Sequence, residues 1–152
     1  NAFIQAHNDT PNVALDIIGM GPLHGDIQKK IEKHNLEESI HLRGSIPLAQ
    51  VADYIRNASV LILPSYREGV PNVLLESFAC ATPVIATRVG GIPEVVNEKV
   101  GLLVEVKNVT QLAEAIKQAL SKNWSSDDIR EHARQFDWNK NVQHVVEQLE
   151  GV

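Results

Sequence analysis

The chain has 152 residues, of which 43% are apolar and 22% charged, with a formal net charge of −5 and one cysteine. Its 14 lysines and arginines are scattered along the sequence, which excludes the clustered basic surface that nucleic acid requires. No apolar run approaches the about 18 residues that a membrane span needs, and a lone cysteine excludes an internal disulfide. We therefore expect one soluble globular domain over residues 1–152, long enough to bury a core without metal or disulfide.

Five short apolar runs rich in β-branched residues predict β-strands, and segments of helical periodicity alternate with them. The strands are predicted at residues 13–19, 40–42, 60–64, 83–86 and 102–104. Such alternation is typical of parallel βαβ units, and the run Val60-Leu61-Ile62-Leu63 indicates burial on both faces of the sheet. The predicted fold class is α/β, a Rossmann-like three-layer αβα domain with a parallel sheet.

Amphipathic helices are predicted where apolar residues recur at i, i+3, i+4 and i+7. The two clearest patterns are Leu48, Val51, Ala52 and Ile55, then Leu112, Ala115, Ile116, Ala119 and Leu120. Pro47 is expected at the first position of the former helix, and Asn108 with Gln111 resembles a capping box for the latter. Asn72 is expected to cap a third helix running to about residue 81. The last of two further helices after residue 126 should present an apolar face made of Val142, Val145, Val146 and Leu149.

The residues best suited to bind a ligand collect just after the predicted strands. Ligands of open parallel sheets bind beyond the carboxyl ends of the strands. Small or glycine-bearing loops follow the first four strands: Gly19 and Gly21, then Arg43, Gly44 and Ser45, then residues 65–71, then residues 87–91. We expect these four loops to line one crevice.

The sharpest constellation there is a pair of glutamates, Glu68 and Glu76, with seven residues between them. Glu68 would lie in a loop, and Glu76 about one turn into the helix that Asn72 begins. The unpaired amides at such a helix start, here those near Val73, Leu74 and Leu75, make an anion site suited to a diphosphate. Carboxylates on either side can accept hydrogen bonds from the vicinal hydroxyls of a sugar. The alternative is that Glu76 merely complements the helix dipole and that Glu68 is a solvated turn residue.

Several stretches carry a resemblance to a known family. Residues 64–69, 76–87 and 89–96 read PSYREG, ESFACATPVIAT and VGGIPEVV, and residues 19–23 and 101–104 add GMGPL and GLLV. Over roughly residues 13–149 the chain resembles the carboxyl-terminal, donor-binding domain of family 4 retaining glycosyltransferases of the GT-B fold, the glycosyl transferases group 1. A glutamate pair at this spacing, in this frame, is a specific motif.

The resemblance implies a domain that binds a nucleoside diphosphate sugar, so that the sugar can pass with retention to an acceptor in glycan or glycoconjugate biosynthesis. It implies that Glu68 is the catalytic residue facing the donor sugar, that Glu76 holds the ribose hydroxyls, and that the amides of Val73 and Leu74 meet the diphosphate. The other donor-binding positions it implies are Gly69, Asn72, Gly19, Gly21, Arg43, Gly44 and Ser45, the last three facing the base. No metal and no other cofactor is expected.

The resembled domain opens with one more strand and with a loop whose Arg and Lys grip the diphosphate, and a separate amino-terminal domain supplies the acceptor site. Because this chain begins after that strand, we expect a fragment that binds nucleotide weakly and transfers no sugar by itself. The extra strand would lie between the strands predicted at 13–19 and 60–64. We expect preceding residues to fill its place, or the fragment to close its sheet directly, or a second copy to lend a strand in a homo-oligomer.

Other functions stay open on the sequence alone. A noncatalytic nucleotide-sugar-binding scaffold domain could keep the same fold. Gly19, Gly21 and Gly25 partly resemble the fingerprint of an NAD-binding Rossmann domain, although the third glycine is one position late and Arg43 stands where an acid is expected. Sugar-nucleotide 2-epimerases share the architecture, but the Glu-Gly and Gly-Gly-Ile-Pro-Glu pattern fits the transferases better.

The remaining chemically active side chains favour structural roles. The six histidines show no metal-ligand spacing, and His24 is expected at the surface, at the start of a helix. Cys80 is expected to be a buried small hydrophobe inside an apolar helix. We expect a cytoplasmic location, with the intact protein able to lie peripherally at a membrane.

Overall fold

The computed structural model describes residues 1–136, in which helices and strands alternate. The helices are α1 (Ala2–His7), α2 (His24–Lys33), α3 (Leu48–Asn57), α4 (Asn72–Ala79), α5 (Ile92–Val95), α6 (Val109–Ser121) and α7 (Ser126–Ala133), followed by a 3-10 turn at Arg134–Phe136. The strands are β1 (Leu15–Ile18), β2 (Ile40–Gly44), β3 (Leu61–Leu63), β4 (Val84–Thr87) and β5 (Gly101–Val104). The last helix predicted from the sequence lies outside the described residues.

All five predicted strands are present, each within a few residues of its expected bounds. Every strand pair is parallel, with Leu15 opposite Ile40, Leu61 opposite Val84 and Val84 opposite Gly101. The predicted α/β class with a parallel sheet is confirmed. Parallel pairing brings the carboxyl ends of neighbouring strands to the same edge, so the loops that follow them share that edge.

The strands form two separate sheets. One contains β1 and β2, and the other has the order β3-β4-β5. Within residues 1–136 no ladder joins β1 to β3, so each of these strands is the edge of its own sheet. Direct closure, one of the expected ways to complete the sheet, is therefore not what the structure shows.

Burial follows this division. The central strand β4 is buried throughout, as expected for a strand covered on both faces. Strand β3 is packed on both faces as expected, with Leu61 and Leu63 against one core cluster and Ile62 against the other. Its three residues are only half-buried, because an edge strand has a neighbour on one side only. Strand β1 alternates half-buried and exposed residues, and its exposed side includes Asp16 and Ile18.

Helix α1 connects the cores of the two sheets, and it was not predicted from the sequence. Ala2 and Ala6 pack into the core cluster of β4, β5 and α6. Phe3 packs with Ile31, Leu36 and Ile40, beneath the two-stranded sheet. One short helix thus buries side chains in both halves of the domain.

Polar side chains of α1 and of the turn after it also contact both halves of the domain. His7 Nε2 lies 3.3 Å from the hydroxyl of Ser39, just before β2. In the turn after α1, Asp9 accepts a hydrogen bond of 3.0 Å from Lys117 of α6. The bonds of Lys117 to Glu114 and Asp9 raise the pKa of its ammonium group.

The helix starts differ in part from the predicted caps. Asn108 caps α6 as expected, its side chain accepting from the amide of Gln111 at 2.9 Å, but the Gln111 side chain accepts from Glu105 instead of closing a capping box on Asn108. Pro47 is the residue before α3 and not its first residue. Asn72 is the first helical residue of α4, whose cap is Pro71, and its side chain makes no capping bond. The prediction that Asn72 caps this helix is wrong, because Pro71 already holds the extended backbone of a cap.

Two apolar side chains are more exposed than their sequence context indicated. Leu48, on the predicted apolar face of α3, is 79% exposed at the start of the helix, whereas Ile55 at the other end is buried. Cys80 is not inside α4 but at its carboxyl-terminal cap, where it is half-buried, so its expected full burial is wrong. Among the described residues, no helix has the length and apolar character needed to cross a membrane.

Candidate functional site

The predicted site residues lie at the carboxyl ends of both sheets. Gly19 follows β1 with a φ of +121°, and Gly44 ends β2 with a φ of +64°, backbone conformations that favour glycine. The amide of Gly19 donates to the carbonyl of Gly44 at 2.7 Å. The glycine loop after β1 and the Gly44-Ser45 loop after β2 are thereby brought together, with Ser45 exposed.

Arg43 is engaged beside this pair of loops. Its Nε donates to Asp16 Oδ1 on the neighbouring strand at 2.6 Å, and its guanidinium lies 6.0 Å from the ring centre of Tyr54 in α3. The hydrogen bond to Asp16 raises the pKa of Arg43, so the charge is permanent. The guanidinium of Arg43 therefore lies beside Asp16 on the exposed side of β1. Gly44, the next residue, ends β2.

Glu68 is held in place by a side chain three residues earlier. The Ser65 hydroxyl donates to Glu68 Oε1 at 2.6 Å, a length typical of a strong hydrogen bond to a carboxylate. The carbonyl of Ser65 in turn accepts from the hydroxyl of Thr87, at the end of β4. Glu68 itself is half-buried. The loop after β3 is therefore fastened to the end of β4 next to the carboxylate.

The glycines after β4 press against the backbone of the same loop. Gly90 has a φ of +52°, and a Cβ built on it would lie 1.8 Å from the carbonyl oxygen of Glu68. The amide of Gly91 donates to the carbonyl of Gly69 at 3.0 Å. Only residues without a side chain permit this approach. The segment read as Gly-Gly-Ile-Pro-Glu in the sequence thus serves to position Glu68 and Gly69.

The amino-terminal end of α4 follows directly. The amide of Leu74 donates to the carbonyl of Pro71 at 3.1 Å, and the Leu74 side chain is fully buried. Within residues 1–136 the amide of Val73 has no such acceptor. The α4 start therefore offers the amide of Val73 to an anion more readily than that of Leu74. Glu76, one turn further on, is exposed.

The predicted residues thus form two groups. Gly19, Gly21, Arg43, Gly44 and Ser45 belong to the two-stranded sheet, and Glu68, Gly69, Asn72, Val73, Leu74 and Glu76 belong to the three-stranded sheet and α4. Both groups lie at carboxyl ends of strands. Within the described residues no hydrogen bond joins one group to the other.

An open cleft of about 780 Å³ is lined by Tyr66, Arg67, Val106 and Lys107. Lys107 has a φ of +61°, and its Nζ lies 5.8 Å from the ring centre of Tyr66. This cleft does not include either glutamate of the pair. Among residues 1–136, no cluster of histidine, cysteine and acidic side chains has the arrangement of a metal site.

Ser65 and Thr87 hold Glu68 although neither was predicted to have a role of its own. For Ser65 a signal existed, because Ser65 and Glu68 have the Ser-x-x-Glu spacing that places a hydroxyl beside a carboxylate in local turns. For Thr87 no local signal existed, since its bond to Ser65 spans 22 residues and depends on the pairing of β3 with β4.

Comparison with known proteins places these features in context. Residues 2–136 match the family model described as glycosyl transferases group 1. The chain is 36% identical over 141 residues to an uncharacterized glycosyltransferase of Methanocaldococcus jannaschii, covering 88% of this chain and 40% of that protein. It is 34% identical over 155 residues to TuaC of Bacillus subtilis, a glycosyltransferase named for teichuronic acid biosynthesis, covering 98% of this chain and 37% of TuaC.

Solved structures share the fold. Sucrose-phosphate synthase from Thermosynechococcus elongatus superposes with a TM-score of 0.82 at 29% identity, over 99% of this chain and 42% of the synthase. HepE from Anabaena, solved with UDP and glucose, gives a TM-score of 0.83 at 21% identity, over 99% of this chain and 44% of HepE. The α/β architecture is thus that of one domain of the GT-B structures, and the chain spans less than half the length of the proteins it matches.

Proposed function

The chain belongs to the glycosyl transferases group 1 family, and from that premise we propose that it is the donor-binding domain of a retaining glycosyltransferase. The enzyme that contains it transfers a sugar from a nucleoside diphosphate to an acceptor in glycan or glycoconjugate biosynthesis. The observation that carries this proposal is the placement of Glu68 and Glu76 on either side of the first turn of α4, at the carboxyl end of a parallel sheet.

Each carboxylate has a separate task in this proposal. Glu76 is exposed, and a carboxylate with both oxygens accessible can accept paired hydrogen bonds from the two hydroxyls of a ribose. Glu68 is half-buried, with one oxygen engaged by Ser65, and it faces the sugar that is transferred. The backbone at Gly44 and Ser45 borders the base, next to Gly19 and Gly21.

The phosphate position rests on backbone amides. The Val73 amide and the dipole of α4 favour a diphosphate at the helix start. Two of the cations at the strand ends are already paired, Arg43 with Asp16 and Arg88 with Glu105. We therefore propose that the described residues bind a nucleoside diphosphate weakly, and that donor binding requires no metal ion.

The acceptor site is proposed to lie in the remainder of the enzyme. Catalysis by proximity needs donor and acceptor in one cleft, and the described residues supply only the donor side of it. We propose that an amino-terminal domain supplies the other side and that the enzyme works in the cytoplasm, where it can lie peripherally at a membrane.

Two alternatives make different predictions. A noncatalytic nucleotide-sugar-binding scaffold would bind the same ligands without turnover, but it would not need a carboxylate held by Ser65. An NAD-binding domain would use the glycine loop after β1, yet Arg43 and Asp16 are bonded to each other where that function needs a free acid at the end of the second strand.

Thermal unfolding of the chain with added ligands tests the proposal. Bound ligand stabilises the folded state in proportion to the logarithm of its concentration over Kd, so UDP, GDP, ADP, their sugar conjugates and NAD are each titrated into the millimolar range. We expect at least one nucleoside diphosphate to raise Tm, and Glu76→Ala to reduce the rise. The exposed Glu37, outside the site, provides the matched control Glu37→Ala. Stabilisation by NAD with none by the diphosphates would overturn the proposal.

A further inference from the structure

Glu68 is held at one carboxylate oxygen and at its backbone carbonyl. Its Oε1 accepts from the Ser65 hydroxyl at 2.6 Å. Its carbonyl oxygen lies against Gly90, and the next carbonyl, that of Gly69, accepts from Gly91 at 3.0 Å. The backbone of the motif is therefore set by the glycine loop, and Ser65 sets the torsion angles of the side chain.

Ser65 is itself restrained. It lies two residues after Leu63, and the β3-β4 ladder ends at the pair Leu63 and Ala86. Thr87 is the residue after Ala86, and its side-chain hydroxyl donates a hydrogen bond to the Ser65 carbonyl. Thr87 is 3% exposed. This bond continues the attachment of the two segments where the backbone pairing stops.

We propose that Ser65 is the positioning residue of Glu68, acting with Thr87 to aim Oε2 at the donor sugar. This inference rests on the proposed function and names the residue on which the orientation of Glu68 depends. A carboxylate with one oxygen occupied by a fixed donor presents the other in a single direction, whereas an unrestrained glutamate loses several rotamers on binding. The preorganised arrangement favours the transition state, in which small misplacements are costly.

The test compares Ser65→Ala, Ser65→Thr, Glu68→Gln and the double variant Ser65→Ala/Glu68→Gln in the intact enzyme. We expect Ser65→Ala to lower kcat roughly 10- to 100-fold, since a misplacement of about 1 Å can cost about 100-fold, with little change in the KM for donor. Ser65→Thr, which keeps the hydroxyl, should restore most of kcat. In the Glu68→Gln background, Ser65→Ala should cost little more, because residues that act as a unit are not additive. Wild-type kcat in Ser65→Ala, or fully additive losses, would overturn the proposal.

Ser77 provides the matched control for loss of a serine hydroxyl. It is buried in α4 and donates to the carbonyl of Thr82 at 2.9 Å, away from the carboxylate. Ser77→Ala should lower Tm without a selective loss of kcat. A merely structural role of Ser65 would give the same result as Ser77, so equal behaviour of the two variants would contradict the inference.

A spectroscopic measurement separates this inference from the proposed function. In protein labelled with ¹³C at the glutamate carboxyl groups, the Glu68 resonance is assigned by its absence in Glu68→Gln. We expect it to shift in Ser65→Ala and to stay in place in Ser77→Ala. If the wild-type enzyme transfers no sugar while the resonance behaves as expected, the proposed function fails and the role of Ser65 in holding Glu68 stands. An unchanged resonance in Ser65→Ala refutes that role whatever the enzyme does.

Discussion

The backbone amide of Gly91 donates a hydrogen bond to the carbonyl oxygen of Gly69, with 3.0 Å between the two atoms. The bond joins the loop after β4 to the loop after β3, and it leaves no room for side chains. A Cβ built on Gly91 would lie 2.7 Å from a methyl group of Val70, and one on Gly90 would lie 1.8 Å from the Glu68 carbonyl oxygen. Two glycines in one loop therefore determine where the first glutamate of the pair stands.

The first prediction follows from that contact. Gly90→Ala should destabilise the domain by at least about 2 kcal/mol, because a left-handed backbone costs an L-residue about 1–2 kcal/mol and the new methyl group must also displace the Glu68 carbonyl. It should weaken donor binding as well. Urea unfolding and nucleotide titration measure the two effects.

Gly25 supplies the control. It lies in α2, and a Cβ added there would meet nothing within 4 Å. Gly25→Ala should be neutral or stabilising, by at most the about 0.5–1 kcal/mol gained in a helix interior, because Gly25 is the second residue of α2. If Gly90→Ala were as stable as Gly25→Ala, the close approach of the two loops would not exist in solution.

The second prediction separates the two glutamates. In the intact enzyme, Glu76→Ala should weaken donor binding about 10- to 100-fold, since a hydrogen bond to a charged group contributes about 1.5–3 kcal/mol. Glu68→Ala should lower kcat more than it changes nucleotide affinity, because in the proposed function Glu68 faces the sugar that is transferred. Steady-state kinetics with a fixed acceptor distinguish these patterns, with Glu37→Ala as the control. Wild-type kinetics in both variants would show that neither glutamate acts in donor binding or turnover and that the two only stabilise the start of α4.

The third prediction concerns the chain by itself. We expect it to transfer no sugar from any nucleotide sugar, because in the proposed function the chain supplies only the donor side of a cleft and the acceptor must be held beside it. Incubation with radiolabelled donors and chromatography of the products measures this. Detection of a glycosylated acceptor with the pure chain would contradict the prediction, whereas recovery of transfer on adding the remainder of the enzyme would support it.

The fourth prediction concerns the edges of the two sheets. Strands β1 and β3 each have one unpaired edge within residues 1–136, and unpaired edges recruit other strands. We propose that the isolated chain associates through them when no preceding residues fill the place between them. Sedimentation velocity should then depend on concentration, and amide exchange at β1 and β3 should slow as association increases.

A charge at the edge should prevent this association. Ile18, at the end of β1, is 40% exposed, and Val70, outside the strands, is 44% exposed. Ile18→Lys should yield a monomer, because a lysine blocks edge pairing, whereas Val70→Lys should associate like the wild type. A wild-type monomer with fast exchange in β1 and β3 at all concentrations would show that the edges stay open.

Much of the fold could be predicted from the sequence because the strands are short, apolar and separated by helical patterns. The misses have physical causes. Helix α1 has six residues, too few for a periodic pattern, and it is stabilised by the cores it enters rather than by its own propensity. The partial exposure of β3 depends on which strand lies beside it, which no local pattern reports. Asn72 is a strong capping residue type, but Pro71 before it adopts the cap conformation.

The site was predictable in its composition but not in its internal contacts. The glutamate pair, the helix start and the glycine loops are local features of the sequence and were identified from it. The bonds that hold Glu68 are of two kinds. That from Ser65 is local and carries a spacing signal, whereas those through Thr87 and the Gly90-Gly91 loop join segments about 20 residues apart. They exist because β3 and β4 run in parallel and end at the same edge.

The division into two sheets has a consequence for how the crevice responds to its occupant. The distance between the Gly19-Gly44 side and the Glu68-Glu76 side is not set by a hydrogen-bonded ladder, since within residues 1–136 β1 and β3 are not paired. The apolar contacts of α1 with both cores connect the two sides instead. Apolar contacts are not directional, so they restrain this distance less strictly than a hydrogen-bonded ladder would. A nucleotide that contacts the Gly19 and Gly44 loops at one end and Glu76 at the other would therefore fix the distance between the two sides when it binds.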